Sequence, residues 1–480
     1  MSRYLLGAVL LLALLLRLPL LDGSFWLDEA AQALESARPL SQQFQIGDDF
    51  QPPLIHLIIH FALYLGKGEW YLRTVGALIP GLISIWATYK LGEKLFSKNV
   101  GLLAALFLAT SSWHIFYSQE LRPYSLPVVF ALLSWLALLN QKPKFYTLLS
   151  ILGLYSSYLY PFLMLSQLVY VWILNKKLIK SFILSSSFSV LAFLPWLPKF
   201  LLQLQTGQSW RVILPGWEKV VATPQFKVLP LILGKFIYGV LDLNLGLFYL
   251  LMTLFLSLII IFIYHDSHRH HPHLKSFYLL LIFFFVPLLS AWAISFVVPV
   301  LQAKRVLYLL PAFYLLIASS LSLVKRQNLV KLLLSLILTI NLYSVSAYYT
   351  NKNLQRENWR ALHSEIVSKY PSQNSIIVFS FNNSFAPWRW YDQEEYEVLL
   401  TGAMHISQVN NLREKLEKIT NYDYVLVFDY LRDLTDPDDV LLREIEAFDF
   451  RQIDLISYPN LGFVRVYGKT GSLLSYACWY

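Results

Sequence analysis

The sequence has 480 residues, 56% of them hydrophobic and 14% charged, with a formal net charge of +9. Mean hydropathy is +0.50, outside the range of soluble domains, so lipid is the expected solvent for most of the chain. The basic residues fall in short clusters rather than one stripe, which argues against a nucleic-acid partner, and the lone Cys478 excludes both an intramolecular disulfide and a cysteine-pair metal site.

Apolar runs suited to crossing a membrane lie near 4–20, 71–91, 100–117, 124–140, 145–160, 161–174, 181–198, 245–264, 277–297, 306–324 and 329–349, about 11 crossings. The first follows Arg3 and has no small-residue cleavage site behind it, so it reads as an uncleaved span rather than a signal peptide. Lysines and arginines gather after the even-numbered spans, at Lys90, Lys94 and Lys98, at Lys142 and Lys144, at Lys176, Lys177 and Lys180, at Arg269, and at Lys325, Arg326 and Lys331. The positive-inside rule puts these connections in the cytoplasm. Segment 199–227, with Lys199, Arg211, Lys219 and Lys227, falls outside by this count and runs against the rule. The expected protein is a multi-pass protein of the cell membrane, with its N-terminus in the cytoplasm and both the first loop (21–70) and residues 351–480 outside.

Within that loop, Leu54 to Leu65 is apolar but too short to cross, which suits a helix lying on the membrane surface; 228–243 is another candidate of this kind. Residues 1–350 form the expected membrane domain. Residues 351–480 read as α/β, with a helix from Trp359 to Tyr370 and strands at Ser375 to Phe381, Tyr424 to Asp429 and Gly462 to Tyr467. The cluster His265, His268, His270, His271 and His273 reads as a solvated linker or a metal-binding tract, without a carboxylate or cysteine framework.

Candidates for chemistry come in chain order. Asp28 and Glu29 follow Phe25, Trp26 and Leu27, aromatic and apolar residues that seat a chain at the membrane interface. Asp49-Phe50-Gln51-Pro52-Pro53-Leu54 comes next, its two prolines giving an extended lead into a short helix on which His56 and His60 share one face. A metal site from Asp48, Asp49 and these histidines has no specific spacing behind it. Between two spans lie Glu120, Arg122 and Tyr124. Ionisable residues there need partners: Arg122 offers a planar fork for a phosphate, or pairs with Glu120 to close the loop.

Taken together, these segments resemble the type C glycosyltransferases that use polyprenyl-phosphate sugars, a group that includes protein O-mannosyltransferases and lipid A aminoarabinose transferases. Trp26-Leu27-Asp28-Glu29-Ala30 is similar to the family's acidic motif after the first span, Asp49 to Leu54 to its Asp-x-His-Pro-Pro-Leu, with His60 and Arg73 in step, and Tyr117 to Leu126 to its Tyr-Ser-Gln-Glu-Ala-Arg-x-Tyr-x-Leu. Tyr155 to Tyr160, Arg305 to Pro311 and Glu357-Asn358-Trp359-Arg360 also have counterparts. Gln51 and Val306 depart from the pattern, where the family has His and Tyr. The resemblance implies a polytopic α-helical membrane protein of the type C glycosyltransferase fold with an extracytoplasmic α/β domain. It also implies a catalytic Asp28, and an Arg122 that faces the carrier phosphate.

The chemistry fits these residue types. A sugar leaving as a lipid phosphate needs a cation for the developing charge, the role suited to Arg122. The acceptor hydroxyl needs a base, which we assign to Asp28 with Glu29 in support. Asp49, His60, Glu120, Arg122, Tyr124 and Arg305 are the expected substrate-binding residues. The partners are then a polyprenyl-phosphate sugar, an acceptor that is a protein, a lipid or a glycan, and the membrane lipids. No residue is assigned to a metal; the sequence sets no cofactor requirement and leaves a divalent cation open. A lipid or sugar transporter would place its charges near mid-span and show paired repeats. A non-catalytic scaffold would use Trp388-Arg389-Trp390 as a sticky patch.

Overall fold

The computed structural model describes residues 2–45, 49–214, 225–241, 246, 253, 273–393 and 395–470. Most of the expected span at 245–264, four of the clustered histidines (His265, His268, His270 and His271), Asp48 and Cys478 lie outside these residues. The chain divides into two compact units. One comprises Met1–Asp22, Glu35–Leu204 and Val221–Leu354; the other comprises Gly23–Leu34, a stretch beginning at Gln205, and the chain from Gln355 onward.

The first unit is helical. Among its described residues, Glu69–Leu95, Lys176–Trp210, Leu274–Ile294, Ala303–Leu321 and Gln327–Thr350 are long and apolar enough to cross a membrane, and Arg3–Leu15, Lys98–Thr110, Ser125–Leu139 and Tyr160–Leu174 are shorter apolar helices. Ile183, Leu184, Phe188 and Leu191 are each more than half exposed, which fits a helix face that meets lipid rather than water.

Two expected boundaries move. The run from 4 to 20 is helical only to Leu15, because Pro19 disfavours the helical conformation at Leu18 and Leu20 takes a φ of 61°. Residues 199–213, expected in an outer connection, instead continue as the helix Leu197–Ile213. Pro195 and Pro198 each fall at the start of a helical turn, where a missing N–H costs nothing, so neither stops the run. The short helix expected between Leu54 and Leu65 is present as Leu54–Leu63. Gln225–Tyr238 packs into the helical core through Val228, Ile232 and Phe236, one face repeating every four residues.

The second unit carries a five-stranded sheet in the order β2-β1-β3-β5-β4. The strands are β1 (Ser375–Phe379), β2 (Glu397–Leu400), β3 (Tyr424–Phe428), β4 (Phe450–Tyr458) and β5 (Gly462–Lys469). β1 pairs in parallel with β2 and β3, whereas β5 runs antiparallel to both β3 and β4. β1 is buried along its whole length, as a strand covered on both faces must be. Ile377, Phe379, Leu426 and Phe428 face one layer with Trp359, Leu362, Ile366 and Trp388. Ile376, Val378, Val425 and Val427 face the other with Leu416, Ile419, Leu441 and Ile445. Leu27, from the acidic segment near the start of the chain, packs on the first of these layers.

Candidate active site

In the helical unit the site is built around a turn. Tyr117 ends the helix Ser112–Tyr117 and the next helix begins at Ser125. Between them Pro123 keeps Arg122 out of the helical conformation, leaving residues 118–124 as turns and bends. The helix Glu69–Leu95 presses on this turn through glycines: a Cβ at Gly81 would lie 2.4 Å from Ser118 Oγ, and one at Gly76 would lie 2.9 Å from Leu121 Cδ1. Only a missing side chain allows that approach, and it fixes where Arg122 is presented.

Arg122 Nη1 lies 3.5 Å from Asp49 Oδ2, and the same oxygen lies 3.2 Å from His56 Nε2. Gln51 Nε2 donates to Asp49 Oδ2 and is 2.9 Å from His56 Nε2. The Gln51 carbonyl accepts from Gln203 Nε2 at 3.4 Å, and Gln203 Oε1 accepts from the Tyr158 hydroxyl at 2.5 Å. Burial alone would raise the Asp49 carboxyl, but the Arg122 charge and His56 hold it below the ordinary aspartate value. Asp49 is therefore an anion that orients a cation.

Glu120 is buried, and its carbonyl accepts from the Arg122 backbone N–H at 2.7 Å. The Tyr124 ring stands edge-on to Tyr117 at 5.1 Å and takes Lys304 Nζ over its face at 5.6 Å. Arg305 donates through Nη1 to the Val300 carbonyl at 2.9 Å. A second cation, Lys304, thus stands over the ring of Tyr124, two residues along the chain from Arg122. Lys304 was not a sequence candidate, although it adjoins Arg305, and neither was Gln203. His60 is one turn beyond His56 and does not join Asp49: its Nδ1 donates to the Ser36 carbonyl at 2.9 Å, and Tyr64 lies against its ring. Arg73, fully buried, donates to the Leu21 carbonyl at 2.9 Å. Among the described residues, no three His, Cys, Asp or Glu side chains stand together as metal ligands.

In the second unit, Asp28 and Glu29 occupy the first turn of the helix Leu27–Ala37. Glu29 is fully buried, whereas Asp28 keeps part of its surface. Of the two carboxylates only Asp28 is reachable from solvent, as a base must be. The segment before the helix is held by the α/β domain: the Phe25 N–H donates to the Tyr391 hydroxyl at 2.8 Å, the Arg360 N–H to Ser24 Oγ at 3.0 Å, and the Phe25 ring meets Trp390 at 5.5 Å.

This arrangement, a helical membrane part with an acidic segment after the first helix and a small sheet domain at the end, is the type C glycosyltransferase fold. The chain aligns with ArnT from Cupriavidus metallidurans, whose crystal structure holds undecaprenyl phosphate, at a TM-score of 0.58 and 11% identity over 98% of each chain. It is also similar to the oligosaccharyltransferase AglB of Archaeoglobus fulgidus, solved with an inhibitory peptide and a dolichol-phosphate, at a TM-score of 0.53 and 12% identity. That alignment covers 97% of this chain and 74% of the archaeal one. In sequence, the family of dolichyl-phosphate-mannose-protein mannosyltransferases matches residues 50–201, which include Gln51, His56, His60, Glu120, Arg122 and Tyr124 but neither Asp28 nor Arg305. No curated protein sequence is a match.

Proposed function

We propose that the protein is an inverting glycosyltransferase that moves a sugar from a polyprenyl-phosphate carrier to an acceptor hydroxyl on the outer face of the membrane. The observation that carries the reading is the Arg122 group: a guanidinium aimed by Asp49, with Lys304 over the ring of Tyr124, of which Arg122 and Tyr124 lie inside the segment that matches the mannosyltransferase family. ArnT and AglB, which share the fold, are solved with undecaprenyl phosphate and dolichol-phosphate, and a lipid monophosphate is the ligand such cations suit.

Asp28 takes the proton of the acceptor hydroxyl, and the oxygen attacks the anomeric carbon as the bond to the carrier phosphate breaks. The electron pair leaves with the phosphate, whose charge Arg122 and Lys304 stabilise. One displacement inverts the anomeric centre, unlike the two-step retaining route. Glu29, buried behind Asp28, supports the first turn. Asp49, Glu120, Tyr124 and Arg305 serve donor binding, and His60 serves it indirectly by holding the Ser36 carbonyl.

The test is to incubate the purified protein with a panel of polyprenyl-phosphate pentoses and hexoses and an extract of envelope acceptors, following free polyprenyl phosphate by mass spectrometry. Release with one donor that depends on the acceptor supports the reading. A protein that binds these lipids and consumes none, with every acceptor fraction present, is not a transferase.

A further inference from the structure

The helices Glu69–Leu95 and Ser125–Leu139 pack together, and both run away from the turn that carries Arg122. From Gly81 to Lys94 the rise is about 20 Å, and from Ser125 to Leu139 it is about the same. Their far ends therefore lie toward the opposite face of the membrane, the one that the positive-inside rule assigns to the cytoplasm. There a cavity of about 490 Å³ opens between them. Trp86, Leu133, Leu136 and Phe145 line its apolar side, and Lys90, Glu93, Lys94, Asn140 and Lys142 its polar side.

A helix stop builds the polar side. The Gln141 N–H donates to the Leu138 carbonyl at 3.1 Å, and the Lys142 N–H reaches back to the Ala137 carbonyl at 3.0 Å. This pair of bonds usually has glycine at its left-handed position, yet Gln141 takes it with a φ of 54°, against its steric preference. The stop folds Lys142 back against the helix it has just left. Pro143 then opens the next helix at once, with Phe145 in its first turn.

The charges on this side do not cancel. Lys90 is matched, its Nζ lying 2.9 Å from Glu93 Oε2 and standing over the Tyr89 ring at 5.3 Å. Lys94 and Lys142 are exposed, and among the described residues neither has a carboxylate within ion-pair distance. Beside them Trp86 is 39% exposed and Phe145 47% exposed, as rings at a lipid–water boundary are. A small soluble anion would satisfy the lysines and leave both rings uncovered. A zwitterionic lipid would cover the rings but bring a cation to a cavity whose one acid, Glu93, is already engaged by Lys90. A lipid with net negative charge answers both sides.

We propose that this cavity binds an anionic phospholipid of the leaflet on that face, its phosphate between Lys94 and Lys142 and its acyl chains along Trp86, Leu133, Leu136 and Phe145. The site is separate from the Arg122 group, and the inference does not rest on the transferase reading.

The experiment uses the full-length protein in detergent, with dioleoyl phosphatidylglycerol and dioleoyl phosphatidylcholine as competing probes and retained lipid counted by native mass spectrometry. Wild type should prefer phosphatidylglycerol by about tenfold or more. In the Lys94→Gln/Lys142→Gln double variant the preference should fall to within about twofold. The Lys176→Gln/Lys177→Gln double variant removes two exposed lysines that do not line the cavity, and should keep the wild-type preference. A photoactivatable phosphatidylglycerol should label 86–94 and 133–145, with the label competed by phosphatidylglycerol and not by phosphatidylcholine. No preference in wild type overturns the proposal, as does an equal loss in the two double variants, which would make the effect one of general surface charge. Loss of the preference in Arg122→Ala, with the Lys94→Gln/Lys142→Gln protein unchanged, would put the lipid at the Arg122 end and overturn it as well.

Discussion

Replacing Arg122 by alanine removes the cation that Asp49 faces across 3.5 Å. At that separation the gross attraction is about 5 kcal/mol for an effective dielectric constant of about 20, before the cost of burying both groups. Neither side chain is more than 16% exposed, so the carboxylate left behind is poorly solvated, and we expect a stability loss of about 3 kcal/mol at neutral pH. The pH dependence has a fixed sign. The folded state holds the Asp49 carboxyl below its unfolded value, so its stabilisation is present above about pH 4 and is lost as pH falls through the lower, folded value. The stability gap between wild type and Arg122→Ala should therefore be full at neutral pH and close below about pH 4. If Arg122 also holds the carrier phosphate, the variant loses a charge-assisted bond worth about 1.5–3 kcal/mol, or about 10- to 150-fold in donor affinity. Arg122→Lys keeps the charge but not the fork, and should lose less. The assays are thermal unfolding from pH 3 to 8 and initial rates at limiting polyprenyl-phosphate sugar, on protein matched for expression and detergent stability. Wild-type donor KM in both variants would refute the phosphate role and make Arg122 structural, with Lys304 and Arg305 the next cations to test.

Gly81→Ala places a methyl 2.4 Å from the original position of Ser118 Oγ; overpacking of about 1–3 kcal/mol should lower the melting temperature and weaken donor use, because the turn that carries Arg122 must move. Glu357→Gln should flatten one limb of the stability profile. With its carboxyl raised from 4.5 to about 7, wild type loses stability relative to the variant as pH rises across that window, on the order of 3 kcal/mol in full, and thermal shifts at closely spaced pH values would show it. With Cys478 replaced by serine, a cysteine introduced at Lys142 should resist a membrane-impermeant thiol reagent on intact cells, and one at the exposed Lys418 should react; the reverse pattern would invert the topology.

Most helices were legible because lipid imposes long apolar runs, and the core of the sheet because β1 and β3 are short, unbroken and β-branched. Two strands were not. β4 carries an irregularity between Gln452 and Asp454, which breaks the alternation of an edge strand and leaves Ile453 and Leu455 outward. β2 is only four residues long and opens on Glu397. The resemblance to known motifs marked Asp28, Asp49 and Arg122. It could not say which histidine meets Asp49, since His56 and His60 share a helix face and the lead through Pro52 and Pro53 selects His56. Lys304 was invisible as a site residue because the ring it stands over, Tyr124, is distant in sequence.

The most direct test of the account is Asp28→Asn. The change preserves size and most hydrogen bonding while removing the basic oxygen, on the carboxylate that remains accessible beside a fully buried Glu29. A base of this kind contributes about 100- to 10,000-fold in rate, so transfer should fall by that amount with undecaprenyl phosphate binding retained, and Glu29→Gln should lose less. An Asp28→Asn protein that transfers sugar at more than about a tenth of the wild-type rate would contradict the assignment of Asp28 as the base.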